Sequence, residues 1–253
     1  MIPYFSTTGW QIGLIKIQAW GLLVALGFLI GFFLVWRKIK EQKRSNEVFL
    51  DLFVWITAVA LIMSRLVYVF FEGREFYWQN PLEIIKIWQG GLSSFGGFLG
   101  AALVLIWFFK KKKITWSDLD ILSWAFSFAW AVGRSGCFLI HDHLGILNNS
   151  FLAINFPEGA RLDMALLEII MLLPWLGLIF WKGEKWFKKP GLLSSGLFLW
   201  YGVGRFFLDF FRAQDILIPD SKYGYLTFAQ WCCIICIILA LIWLRKIKKG
   251  RFA

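Results

Sequence analysis

Residues 17–36 read IQAWGLLVALGFLIGFFLVW, and residues 37–46 read RKIKEQKRSN. Twenty residues pass without a charge, and five Lys or Arg then follow in ten positions. That is the pattern of a helix crossing a hydrocarbon layer and stopped by basic residues on the cytoplasmic side. Six further apolar segments repeat it, at 48–71, 93–109, 118–140, 162–181, 191–211 and 226–244. Short loops separate them, most of them basic or bearing Gly or Pro. The expected fold is therefore an all-α polytopic membrane protein of about seven transmembrane helices. A single membrane-embedded domain is expected over residues 1–253.

The loop charges set the expected orientation. The loops at 37–46, 110–117, 182–190 and 245–253 together carry 18 Lys or Arg, and the alternate loops carry 6. Seven spans put these two sets on opposite faces, with the N-terminus outside and the C-terminus cytoplasmic. The net charge of +11 belongs to these loops, so no nucleic-acid partner is expected. The 27 Phe and 16 Trp suit a chain that meets lipid tails and both interfaces. The first twenty residues lack a basic n-region and a small-residue cleavage pattern, and do not read as a cleaved signal peptide. Cys137, Cys232, Cys233 and Cys236 all fall in apolar stretches and form no secreted disulfide framework. The CxxC spacing of the last three, on an apolar helix, reads as packing.

The three remaining basic residues, Arg65, Arg134 and Arg205, lie within spans. Each sits about six residues before the outer end of its helix, roughly 9 Å deep. Glu168 and Asp209 are expected at a similar depth. An arginine near a helix end can snorkel to the headgroups, and either acid could simply neutralise one. Three cations against two anions leave room for an anionic ligand, and planar guanidinium suits a phosphate. The segment GGLSSFGGFLG, 90–100, supports such a site. Gly90 and Gly91 allow a tight turn, Ser93 or Ser94 can cap the helix, and its free amides can meet an anion. Gly96 and Gly100 let another helix approach closely. Before it, PLEIIKIWQ reads as a short interfacial amphipathic helix.

Four stretches carry a resemblance: RLVYV (65–69), GGLSSFGGFLG, GRSGCFLIHDHLG (133–145) and YGVGRFFLDFFR (201–212). Together with IQAWGLLVALG in the first span, the chain resembles the prolipoprotein diacylglyceryl transferase family. The resemblance implies transfer of a diacylglyceryl group from phosphatidylglycerol to the lipobox cysteine thiol of a prolipoprotein. A thioether forms and glycerol phosphate leaves. It implies a bacterial plasma (inner) membrane enzyme, multi-pass, acting toward the outer leaflet, with no cofactor and no metal. It makes Arg134 the contact to the lipid phosphate and Arg205 the second essential arginine. Asp142 and Asp209 stand where the family usually has Glu, and Gly145 closes the third motif. Glu168 is kept from the region before the fifth span, and Asp163 lies beside it. Arg65, Gly96 and Gly97 complete the expected substrate contacts.

The chain departs from the family pattern at several positions. Phe95 stands in place of a histidine proposed to activate the thiol, Cys137 in place of an asparagine and Trp20 in place of a tyrosine. A phenyl ring accepts no proton. The two histidines, His141 and His143, flank Asp142 just beyond Arg134, and imidazole titrates near neutral pH. They are the candidates for the missing base, alongside a plain solvated loop. Two histidines and one aspartate so close in sequence do not complete a metal shell. Two other functions stay open: a non-catalytic phospholipid-binding relative, and an anion transporter.

Overall fold

The computed structural model describes residues 1–12, 15–216 and 222–250. The seven expected segments each fold as a helix of 17 to 25 residues. These are α1 (Ala19–Glu41), α2 (Asn46–Val67), α4 (Ser94–Lys110), α5 (Trp116–Ile140), α6 (Met164–Phe187), α7 (Leu192–Leu208) and α8 (Phe228–Lys248). A short helix, α3 (Arg74–Gln79), lies between α2 and α4. The α1, α6 and α8 helices, and α2 with the π-turn that extends it to Glu72, are long and apolar enough to cross a membrane. The α4 helix is apolar but shorter.

Polarity is inverted relative to a water-soluble fold. Leu29, Phe33, Val54, Ile62 and Phe180 stand exposed on helices, while Glu168, Asp120, Asp163 and Ser127 are among the most buried side chains. Lipid solvates the first set at no cost, and the second must find partners inside.

The chain divides into two compact units, Met1–Val35 with Trp116–Ala253, and Trp36–Thr115. In the first, α5, α6 and α7 are joined at the start of α5 by a saturated polar network. Asp120 accepts from the Gly191 and Ser194 amides at 2.7 and 2.8 Å and from the Ser194 hydroxyl at 2.7 Å. Trp175 Nε1 donates to Ser127 Oγ at 3.0 Å. Gly27 brings α1 onto α5, since a Cβ there would lie 2.8 Å from the Ala129 carbonyl.

The fold is mostly helical, as expected, and the described residues add eight short strands to it: β1 (Ile2–Pro3), β2 (Gly9–Ile12), β3 (Ile15–Gln18), β4 (Leu144–Leu147), β5 (Ile154–Phe156), β6 (Gly159–Asp163), β7 (Lys222–Tyr223) and β8 (Leu226–Thr227). The sheet β1-β5-β6-β4 fills the connection from α5 to α6. Strands of two to five residues are too short for alternation to show in a sequence. The β6 strand runs directly into α6, with Asp163 as N-cap accepting from the Leu166 amide at 2.9 Å.

In the second unit α2 and α4 pack at glycines. A Cβ on Gly96 would lie 2.3 Å from the Met63 carbonyl, and one on Gly100 2.7 Å from the Val59 carbonyl. The close approach expected of these two positions is therefore present. Gly90 and Gly91 take positive φ of 92° and 75°, the turn expected of them. Ser93 is the N-cap of α4, but its side chain makes no capping bond. The stretch PLEIIKIWQ forms two 3-10 turns, Pro81–Ile85 and Ile87–Gln89, rather than one amphipathic helix.

Candidate active site

Arg134 and Arg205 come together with Glu168, Tyr201 and Asp209 in the first unit. Arg134 lies on α5, with Nε 2.6 Å from Glu168 Oε2 on α6. That pair is close but poorly aligned, and Nε makes no hydrogen bond. The guanidinium also stacks 4.8 Å from the ring of Trp130, one turn earlier. The other Glu168 oxygen accepts from Tyr201 Oη at 2.6 Å. Tyr201 precedes Arg205 by four residues, so both belong to one face of α7. Arg205 Nη2 lies 3.0 Å from Asp209 Oδ1. The second Asp209 oxygen accepts a short hydrogen bond from the Thr227 hydroxyl, held in a capping box with Gln230 at the start of α8. Arg205 Nη1 is buried and has no hydrogen-bond partner among the described residues.

The turn after α5 adds the second half of the cluster. Asp142 and His143 are each about one-third exposed, with His143 Nε2 3.7 Å from Asp142 Oδ2. Burial pushes the Asp142 carboxyl up to about 6, and the Arg134 charge opposes this. His143 is pushed down to about 3, first by burial and then by the positive charges of Arg134, Arg212 and Arg205. Burial and these three guanidiniums together disfavour the protonated imidazole. Cys137 Sγ is 3.9 Å from Arg134 Nη1. Donors of Cys137, Asp142 and His143 lie within 4.8 Å of one another. One metal ion could reach all three, but a cation there would meet the Arg134 charge.

Other expected site residues have different surroundings. His141 ends α5 in the left-handed conformation, φ 52°. Its Nε2 donates to the Phe5 carbonyl at 2.6 Å, and its Nδ1 pairs with Asp163 at 2.8 Å. Both nitrogens of His141, a candidate base, are engaged within the fold. Arg65, an expected substrate contact, is likewise engaged within the fold. Its Nε donates to the Ile84 carbonyl, Nη1 to those of Gly90 and Gly91, and Nη2 to those of Glu83 and Lys86. A guanidinium has five N–H groups, and all five are used. Gly96 serves the helix contact already described, while a Cβ on Gly97 would meet nothing within 4 Å. Gly145 is a point of close approach, since a Cβ there would lie 2.8 Å from Leu162 and 2.9 Å from the Phe211 carbonyl. Phe95 stands exposed in the first turn of α4.

Tyr201 was absent from the residues expected of the site. The signal was available: a tyrosine one turn from a buried arginine on the same helix face. Cys137 stood out only as a departure from the family pattern, because nothing local in the sequence says that a thiol will face Arg134.

Comparison with known proteins adds a family. Residues 8–245 match the model for prolipoprotein diacylglyceryl transferase. A phosphatidylglycerol–prolipoprotein diacylglyceryl transferase of Listeria monocytogenes is 30% identical over 226 residues, covering 84% of this chain and 80% of the relative. One from Pseudomonas putida is 29% identical over 267 residues, covering 98% of this chain and 97% of the relative.

Proposed function

The chain belongs to the prolipoprotein diacylglyceryl transferase family, and we propose that it moves a diacylglyceryl group from phosphatidylglycerol to the lipobox cysteine of a prolipoprotein, using Arg134 and Arg205 to hold the lipid phosphate. The observation that carries this reading is the buried Nη1 of Arg205, which has no hydrogen-bond partner among the described residues, beside a second guanidinium paired with Glu168. A buried charged donor such as Arg205 Nη1 is costly inside an apolar helix packing unless a ligand completes it.

In the reaction the substrate thiolate forms a C–S bond to the glyceryl carbon. The C–O bond to phosphate breaks, and its electron pair leaves with glycerol phosphate. The phosphate thereby gains a second negative charge. Guanidiniums already held beside Glu168 and Asp209 meet that charge within the folded site. The atoms balance with no cofactor.

The thiol proton needs an acceptor. Asp142, at about 6, lies nearer to an ordinary thiol at about 8.5 than His143 does, at about 3. We therefore assign the base to Asp142, with neutral His143 beside it. Glu168 and Asp209 orient the two arginines. The alternative roles, a phospholipid-binding relative without activity and an anion transporter, are not favoured, because the relatives are named as transferases.

The seven apolar helices, four of them long enough to cross a membrane, and the loop charges support seven spans, with the N-terminus outside, the C-terminus cytoplasmic and the arginines toward the outer leaflet of the bacterial plasma membrane. Purified protein, labelled phosphatidylglycerol and a lipobox peptide provide the test. Transfer that disappears in both Arg134→Lys and Arg205→Lys supports the assignment, and undiminished transfer in either removes that arginine from it.

A further inference from the structure

His141, Asp142 and His143 complete no metal shell as neighbours in sequence, but the fold exchanges one member of the set. His141 is held by Phe5 and Asp163, and Cys137 takes its place. The Cys137 sulfur, a carboxylate oxygen of Asp142 and a ring nitrogen of His143 lie within 4.8 Å of one another.

The local chain explains why they converge. Cys137 belongs to the last turn of α5, which ends at Ile140. His141 then takes the left-handed conformation, φ 52°, and the backbone reverses. Asp142 and His143 are carried back toward the end of the helix. The His143 carbonyl accepts from the Met164 amide at 3.0 Å, which pins this turn to the start of α6. Cys137 is buried, whereas the Asp142 and His143 side chains are each 35% exposed, so an ion reaches the site from their side.

Thiolate, imidazole and carboxylate are the ligand types that zinc takes. Around a tetrahedral zinc at about 2.0–2.3 Å from each, neighbouring ligand atoms stand about 3.3–3.6 Å apart. Asp142 Oδ2 and His143 Nε2 are 3.7 Å apart, too far for a hydrogen bond and close to that edge length. The thiolate and the carboxylate carry two negative charges, which match a divalent ion. The Arg134 charge that such an ion would meet is offset by Glu168, 2.6 Å away. Three protein ligands leave a fourth position for water.

We propose that Cys137, Asp142 and His143 form a site for a thiophilic divalent ion of the zinc type, and that filling it stops transfer by occupying the carboxylate assigned above as the base. The inhibition rests on that assignment, and the binding does not. With three ligands and arginines nearby, the dissociation constant should be on the order of 1 μM, weaker than at four-ligand structural zinc sites.

The test uses the purified, reduced full chain in detergent, stripped of metal by a chelator. Co²⁺ is added first, because a bound thiolate gives it a charge-transfer band, and Zn²⁺ then displaces it. Cys137→Ser should lose the band. The variant Cys232→Ser/Cys233→Ser/Cys236→Ser should keep it. His143→Gln should weaken Zn²⁺ binding about tenfold or more. No band in the wild type, or a band that survives Cys137→Ser, overturns the site. Unchanged Zn²⁺ affinity in His143→Gln does the same, and that exposed position does not depend on repacking α5. Transfer is followed in parallel, each protein against its own metal-free rate. Zn²⁺ should half-inhibit the wild type near its dissociation constant, and about tenfold more should be needed for His143→Gln. Zinc captured by the peptide thiol affects both proteins alike, so the ratio reports the site. Bound ion with undiminished transfer overturns the inhibition. Absence of transfer in the metal-free wild type removes the proposed function itself, whatever the cobalt band shows.

Discussion

Arg65 and Arg205 begin with the same description, a lone arginine near the end of an apolar helix, and finish in opposite states. In its unit, Arg65 spends all five N–H groups on backbone carbonyls of residues 83–91 and stacks 4.8 Å from Tyr77. Among the described residues, Arg205 has one carboxylate partner and a buried Nη1 without a hydrogen bond. A saturated guanidinium holds a loop in place. An unsaturated one leaves a donor that a ligand could complete. The charge and expected depth are alike, and the difference lies in whether backbone acceptors surround the group.

That contrast can be broken experimentally. The largest effect is expected at Arg205→Lys, which keeps the charge opposite Asp209 but loses the planar fork. Transfer should fall about 10²- to 10³-fold, with the thermal midpoint in detergent little changed. An equally large drop in the midpoint would put Arg205 in the same class as Arg65.

Asp142→Asn should follow, with a loss of about 10²-fold if the carboxylate is the base. Its pH profile sharpens the point. The carboxyl is raised from 3.8 to about 6, so it holds its proton below that pH. Wild-type transfer should rise as pH climbs through about 6, and the residual activity of the variant should lack that limb. The same shift means that the folded chain keeps a proton that the unfolded chain has released. Stability should therefore decline as pH rises through this window. A limb that survives in Asp142→Asn assigns the base elsewhere.

Arg65→Lys tests the other side. Buried carbonyls lose their donors, and stability should drop by about 2 kcal/mol, while transfer per folded molecule stays near wild type. A selective loss of transfer with an unchanged midpoint would return Arg65 to the substrate site. Tyr201→Phe should be mildest, about tenfold in transfer. It removes one hydrogen bond to a charged acceptor, worth about 1.5 kcal/mol, and loosens the Glu168 carboxylate that faces Arg134.

The helices were legible because their signal is long. The expected 118–140 is observed as Trp116–Ile140, and 226–244 as Phe228–Lys248. The connection from α5 to α6 was not legible. Its sheet strands are short, and β1 reaches β5 from the far end of the sequence. His141 illustrates the consequence. Next to Asp142 in sequence it reads as a base, but its partners are Phe5 and Asp163, 136 and 22 residues away.

The amino-acid sequence alone determined the apolar helices, the asymmetry of loop charge and the family motifs around Arg134 and Arg205. Each of these is written in runs of adjacent residues, where hydrophobic length and charge act locally. Only the tertiary structure decided which arginine is saturated, which histidine is locked, that Tyr201 and Glu168 meet, and that two glycines of α7 seat side chains of α6. Hydrogen-bond satisfaction and close packing depend on atoms brought together from distant positions, and no local pattern records them.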